Sequence, residues 1–405
     1  MKTKTSLICG SALAALVTLA AASGAQAQET TTTWKGAPQF ANDSFTFKVR
    51  GRAYIDAVNQ EVDREVGNDF SSQVTRTRTV RLGVEGTWNQ NWAYKAEVQV
   101  VGGSAAWEDL ILEYKPNDST SIMVGNYKTL SLENLTSSRY TTFMERGAYN
   151  DVLGVGRVMT VAAKVNGENW TGLAGVSGDS INSGDPAVVG NDGGSEQVAL
   201  LGRVTWAPIV TDTTKLHLGL WARKRDRGDQ AGFSYGVRNN TNYGSQFVTS
   251  GAIGTGDTQI GLEAAWLAGP FSLQGEFANI EIDRTNGLEQ SATAYYVAAS
   301  WYVTGEKRNL EVKKGEFGRT KILSPMTAGG PGAIELAVRY DSTDLTDITG
   351  VATAGEYTAW TAGATWYPFP YVRFMANYTM SENDNAAVGA DVDVDTLQFR
   401  AQFDF

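Results

Sequence analysis

Residues 80–100 read VRLGVEGTWNQNWAYKAEVQV, two strands with a tight turn between them. Val80, Leu82, Val84 and Trp88 oppose Arg81 and Glu85; beyond Asn89–Asn91, Trp92, Tyr94, Ala96, Val98 and Val100 oppose Lys95, Glu97 and Gln99. A period of two marks a strand with one apolar and one polar face. Working outward, the same pattern recurs from Ser44 to Phe405. In SFTFKVRGRAYIDA, Phe45, Phe47, Val49, Ala53 and Ile55 share one face, while Lys48, Arg50, Arg52, Tyr54 and Asp56 take the other. The chain ends TLQFRAQFDF, with Leu397, Phe399, Ala401, Phe403 and Phe405 on one face.

The alternation predicts strands near 44–58, 74–88, 92–101, 107–115, 120–127, 157–166, 169–177 and 196–207. Eight more fall near 214–225, 257–268, 271–281, 292–304, 332–341, 356–367, 371–380 and 392–405, which makes sixteen, with fourteen and eighteen as the neighbouring counts. No stretch of the remainder reads as a long amphipathic helix. The connections alternate in length: short at 89–91, 116–119, 166–167, 269–270 and 368–370, long at 128–156 and 178–195. Short turns on one side and long loops on the other are what an antiparallel transmembrane β-barrel requires. Trp88, Trp92, Tyr114, Trp170, Trp206, Trp266, Phe271, Trp366, Tyr367 and Tyr371 lie beside the short turns, which predicts an interfacial girdle at that end.

Residues 1–27 read as a secretory leader: Lys2 and Lys4 precede an apolar, small-residue stretch, and Ala25-Gln26-Ala27 gives the small-x-small cleavage pattern. Residues 28–43 form a lead-in and 44–405 the barrel. The single cysteine, Cys9, leaves with the leader, so no disulfide is expected. Without Lys2 and Lys4 there remain 32 basic against 44 acidic side chains, a balance that argues against nucleic-acid binding.

If the apolar faces meet lipid, the opposite faces meet water. The inward set then holds Lys48, Arg50, Arg52, Arg81, Lys95, Lys164, Arg203, Arg223, Arg225, Arg339, Arg373 and Arg400 against Asp56, Glu85, Glu97, Asp109, Glu113, Glu263, Glu276, Glu335 and Asp404. Forked guanidinium donors suit oxyanions and stay charged, and such rings set charge selectivity in a narrow pore. The alternative is that these charges neutralise one another across the wall. Two connections stand out. KTLSLENLTSSRYTTFMERGAYNDVLGVG, residues 128–156, is too long for an idle loop and is expected to fold inward and constrict the lumen. By parity, residues 305–331, GEKRNLEVKKGEFGRTKILSPMTAGGP, should form a short turn; this basic segment either enters the lumen, the favoured reading, or hides two further strands.

Several blocks in order carry a family resemblance: FKVRGRAYIDA, VRLGVEGTWNQNWAYKAEVQV, EDLILEY, LENLTSSRYTTFMERG, YYVAASWYVTGE, GEFGRTK, IELAVRYDSTDLTD and LQFRAQFDF. Together they resemble the phosphate-selective porin O/P family of Gram-negative outer membranes over essentially the whole mature chain. The resemblance implies a sixteen-stranded barrel, a homotrimer among outer-membrane lipid and lipopolysaccharide, and an arginine ladder leading small anions such as phosphate to a central site. By that resemblance Arg50 or Arg52, Arg81, Ser137, Ser138 and Arg146 match the site, Arg319 and Lys321 the basic turn, and Arg223 and Arg225 part of the ladder. Arg203 joins them as an inward cation. Arg76 and Arg78 stand near the second-strand motif, but strict alternation points them outward unless a bulge intervenes. The family places a lysine just before Thr136-Ser137-Ser138, where this chain has Glu133, Asn134 and Leu135. Exchanging a cation for an acid is expected to weaken anion binding there and to favour a broader range of anions.

His217 is the single histidine and stands mid-strand, so neither a zinc site nor a catalytic constellation assembles around it. No enzyme activity and no cofactor is expected. The function that follows is passive diffusion of small anions, phosphate or polyphosphate among them, through a water-filled barrel. The alternatives are a weakly selective pore for small hydrophilic solutes and a structural or adhesive barrel with a plugged lumen.

Overall fold

The computed structural model describes residues 30–34, 36–183, 195–228, 232–284, 289–387 and 390–405. The leader expected over residues 1–27 lies outside them.

The alternating segments form sixteen long strands. They are β1 (Phe45–Arg64), β2 (Phe70–Trp88), β3 (Trp92–Val101), β4 (Ser104–Asn117), β5 (Thr120–Tyr127), β6 (Val158–Asn166), β7 (Trp170–Ser177) and β8 (Val198–Val210). The second half comprises β9 (Thr214–Asp226), β10 (Thr249–Ala268), β11 (Phe271–Arg284), β12 (Glu289–Tyr302), β13 (Ala333–Asp344), β14 (Glu356–Phe369), β15 (Val372–Asp384) and β16 (Val392–Asp404). Each pairs antiparallel with its neighbours, and β16 returns to β1 from Val392↔Arg64 to Asp404↔Arg52, closing a sixteen-stranded barrel. Closure leaves no unpaired edge, which a bilayer demands. The turn after β2 needs the left-handed backbone of Asn89 (φ 46°) and Gln90 (φ 61°), which matches the twist of the flanking strands. At the seam, Gly51 and Phe405 exchange two backbone hydrogen bonds of 3.0 Å. The Phe405 ring lies over Gly51, where a Cβ would come within 2.4 Å of it. Two short strands of the lead-in, Thr31–Trp34 and Pro38–Ala41, form a hairpin that pairs with β1 at Gln39↔Lys48.

The outer surface is apolar. Leu200 is 62% exposed, Val161 56% and Phe399 51%, within a continuous array of Leu, Val, Ile and Phe far larger than a soluble protein presents to water. Trp88, Trp92, Trp170, Trp206, Trp266 and Phe271 stand exposed beside the short turns and form the girdle; Tyr367 and Tyr371, expected with them, turn inward instead, Tyr367 to Glu335 and Tyr371 onto the channel beside Arg319. A second aromatic row was not foreseen: Tyr295 and Tyr340 lie 6.1 Å apart and Tyr340 and Trp360 5.0 Å. Trp360 and Trp366 on β14 lie six residues apart, about 20 Å along a strand, so the two rows bracket the lipid band.

The lumen is not evenly filled. On the β9–β14 side, alternation is broken by apolar residues that also face inward. Trp221, Tyr235, Ala278, Ile280, Tyr296 and Tyr357 pack with Tyr149, Val152 and Leu153 of a helix in the 128–156 loop. Each large apolar side chain buried there contributes about 1.5–3 kcal/mol. The open channel is therefore pushed against the wall of β1–β8.

Candidate functional site

The loop between β5 and β6 is strapped across the lumen from every side. It carries helix α1 (Leu132–Leu135) and helix α2 (Ala148–Leu153). The Glu276 carboxylate on β11 accepts Ser131 Oγ at 2.7 Å and the N–H groups of Leu132 at 2.9 Å and Glu133 at 2.7 Å, satisfying donors at the start of α1. Arg373 on β15 donates to the carbonyls of Ser138 and Thr141, both at 2.6 Å. Arg400 bonds the Met144 carbonyl and Glu145, and Arg223 on β9 holds the Leu153 carbonyl at 2.6 Å. From the short-turn end, the connection after β12 also enters the barrel. Its hairpin, Asn309–Glu311 with Glu316–Gly318, meets the loop through Phe317 N–H and Thr136 Oγ1 at 3.2 Å, with Leu132, Leu310 and Phe317 packed together. Arg203 fixes the hairpin tip by donating to the Gly315 carbonyl at 2.7 Å.

These two segments leave a channel of about 880 Å³ whose lining carries seventeen Lys and Arg side chains against seven Asp and Glu. The asymmetry comes from layering. Glu97 is wholly buried and lies behind four guanidiniums: Arg52 at 3.1 Å, Arg50 at 3.2 Å, Arg81 at 3.4 Å and Arg139 at 3.7 Å. Glu108 holds Arg81 at 2.8 Å and Arg157 at 2.6 Å; Asp109 pairs with Arg157 and Lys95. Carboxylates behind and cations in front make a wall that is ordered by ion pairs yet remains basic toward the solute. Arg52 also donates to Ser138 Oγ at 2.9 Å and Ser137 Oγ at 3.3 Å, so strand and loop meet at one spot.

Of the residues expected at the site, Arg50, Arg52, Arg81, Ser137, Ser138, Arg146, Arg203 and Arg319 line this channel. Arg146 braces the loop by donating to the carbonyls of Glu133 at 2.9 Å and Thr136 at 2.6 Å. Arg319 pairs with Asp404 beneath Tyr140 and Tyr371. Three expected residues stand elsewhere. Arg223 and Arg225 lie on the filled side, Arg223 clamping the loop and Arg225 bound to Asp257 with its guanidinium 3.5 Å from the Phe233 ring centre. Lys321 projects from the turn into solvent, away from the channel.

Glu133, the acid that stands before the serine motif, does not line the channel. Its carboxylate is 6% exposed and turned away from the channel, accepting Gly147 N–H at 3.1 Å, Asn150 Nδ2 and Arg339 at 3.4 Å. Lys128 does line the channel, and its Nζ donates to the Asn134 carbonyl at 3.2 Å.

Two bulges account for residues that strict alternation misses. Register slips between Tyr54↔Thr79 and Ile55↔Thr77, so Arg78 joins the lumen face and bonds Glu145 at 2.8 Å, and Arg76 falls opposite the inward Asp56. Register slips again between Ala96↔Leu110 and Val98↔Trp107, turning both Glu108 and Asp109 inward across from Glu97. Arg139, Arg157 and Lys128 sit on the loop, where no period reveals a direction.

The family model for phosphate-selective porin O and P matches residues 47–405. An uncharacterised protein of Caulobacter vibrioides is 30% identical over 361 residues, 87% of this chain and 72% of that one. Porin O of Pseudomonas aeruginosa is 23% identical over 398 residues, 89% of each chain. In fold, the chain is similar to an anion-selective porin from Comamonas acidovorans, with a TM-score of 0.58 at 14% identity over 89% of this chain and all of that one. With its closed barrel, lipid-facing belt and basic lumen, the chain belongs to the phosphate-selective porin O and P family and forms an outer-membrane channel.

Proposed function

We propose that the channel passes small anions, phosphate among them, by passive diffusion, and that the narrow section at Arg52, Ser137 and Ser138 selects them. The observation that carries this reading is the layering of charge at the narrow section. Arg50, Arg52, Arg78, Arg81, Lys95, Arg139, Arg146 and Arg157 stand against Glu85, Asp109 and Glu145 on the lining, with Glu97 and Glu108 withdrawn behind the wall. An anion there meets forked donors and hydroxyls; a cation meets repulsion in a confined space. The reading includes export by the leader at residues 1–27, a lead-in over 28–43, and a homotrimer surrounded by lipopolysaccharide and lipid. No cofactor takes part, and no chemistry is assigned to any residue.

The test is phosphate block of chloride current in planar bilayers. The reading requires a saturable block, weakened when Ser137 and Ser138 are both changed to alanine. A chloride current indifferent to phosphate would leave only a general anion pore.

A further inference from the structure

Arg139 was absent from the residues expected at the site, and its surroundings are unlike those of any other lumen arginine. Arg203, Arg223, Arg339, Arg373 and Arg400 each spend guanidinium donors on a carbonyl or carboxylate within hydrogen-bond distance. Arg139 is 6% exposed, yet its guanidinium makes no hydrogen bond among the described residues: its buried Nε and Nη2 lack a hydrogen-bond partner, and Nη2 has only a long ion pair to Glu97. The carboxylate in reach, Glu97, is 3.7 Å away and already engaged by Arg50, Arg52 and Arg81. The buried Nε of Arg52 likewise makes no hydrogen bond, while Arg50 Nε lies 3.2 Å from Glu97.

Arg139 thus shares Glu97 with Arg50 and Arg52, next to the point where Arg52 meets Ser137 and Ser138, and is the one of the three whose guanidinium keeps its donors unbonded. The backbone holds Arg139 in place: its N–H donates to Ser137 Oγ at 3.4 Å and its carbonyl accepts Gln402 Nε2 at 3.4 Å. Burial and the neighbouring Arg52 and Arg50 push its pKa down, which reflects the crowding of like charge around it. Leaving a buried guanidinium unsatisfied costs free energy that an arriving anion recovers.

We propose that Arg139 is an anion-coordinating residue of the constriction: a tetrahedral oxyanion seated on Arg52 and the Ser137 and Ser138 hydroxyls takes two further donors, Nε and Nη2, from Arg139. The inference rests on the reading of the channel as an anion pore. It assigns selectivity between oxyanions and halides to one loop residue, because a forked donor matches two oxygens of phosphate and gains nothing comparable from chloride.

The experiment is a bilayer comparison of the native channel with Arg139→Gln and Arg139→Lys, recording the Cl⁻/K⁺ permeability ratio and the concentration of inorganic phosphate that halves the chloride current. Arg139→Gln should raise that concentration about tenfold or more while the channel still prefers chloride to potassium. Arg139→Lys should recover only part of the block, since an ammonium is a point donor. Native block with unchanged block in Arg139→Gln overturns the proposal and leaves the anion reading standing. Cation preference in the native channel overturns both. Should Arg139→Gln fail to fold, crystals of the native channel soaked in arsenate decide: anomalous density within hydrogen-bond reach of Arg139 supports the assignment, and density on Arg52 alone refutes it.

Discussion

Replacing Glu97 by glutamine should make the channel more anion-selective and, at the same time, less stable. The side chain keeps its size and loses the charge that holds Arg50, Arg52, Arg81 and Arg139 at 3.1–3.7 Å. The selectivity effect follows from Coulomb's law. Removing one negative charge about 10 Å from the ion path, in water with ~0.1 M salt, alters an ion's energy by about 0.15 kcal/mol, and by about twice that at half the dielectric constant. The change has opposite signs for chloride and potassium, so their permeability ratio shifts about two- to threefold toward chloride. The stability effect is larger, because buried guanidiniums lose their shared partner; breaking such an arrangement costs about 3–5 kcal/mol. Arg81 keeps Glu108 and Arg50 keeps Glu85, which limits the loss. Anions should therefore protect the variant: its thermal unfolding in detergent should rise with phosphate concentration more steeply than that of the native protein. Reversal potentials in a KCl gradient measure the first effect and heat-dependent gel mobility the second. A Glu97→Gln channel with an unchanged or lower chloride preference would refute the idea that Glu97 restrains the basic wall.

Arg52→Gln removes the cation that joins Glu97 to Ser137 and Ser138, and phosphate block should weaken about ten- to a hundredfold, the worth of one or two charge-assisted hydrogen bonds; concentration series in bilayers check it. Glu276→Gln takes charge from the acceptor of Ser131, Leu132 and Glu133, costing the loop anchor about 1–3 kcal/mol, and single-channel records should show larger conductance and more open-state noise. Lys128 carries a pKa lowered well below the usual lysine range by burial and then by Arg146, Arg157 and Arg81. Such a group gains charge as pH falls through its lowered pKa, so chloride preference should rise from alkaline toward acid pH; Lys128→Met should flatten that response in reversal-potential titrations. Phe317→Gly frees the short-turn hairpin from Leu132 and Leu310, and should widen the conductance distribution without altering the sign of selectivity.

All sixteen strands were legible because lipid on one face and water on the other impose a period of two on each. The lumen was legible only where that period holds. The slip at Arg78 and the one at Glu108–Asp109 each place two successive residues on one face, which a pattern of alternation reads as one in and one out. The filled side of the barrel was hidden for a different reason: Ile280 and Tyr296 face inward yet meet α2 rather than water. In the loop, Glu133 and Asn134 are adjacent in sequence but belong to one helical turn, so they diverge by about 100°. That rotation sends Glu133 to the wall and leaves Asn134 on the channel, and the turn brings Lys128 back to the Asn134 carbonyl. Nothing in the spacing of these residues announces that geometry. The serines were recognised from a family motif, and the contact with Arg52 supplies the physical reason they stand together.

The most direct measurement is the reversal potential of single native channels under a KCl gradient. A basic wall with its acids withdrawn predicts a potential on the chloride side, reduced by phosphate as the site fills. A potential on the potassium side would mean that the acidic lining residues govern the ion path, and would contradict the assignment of the constriction as an anion site.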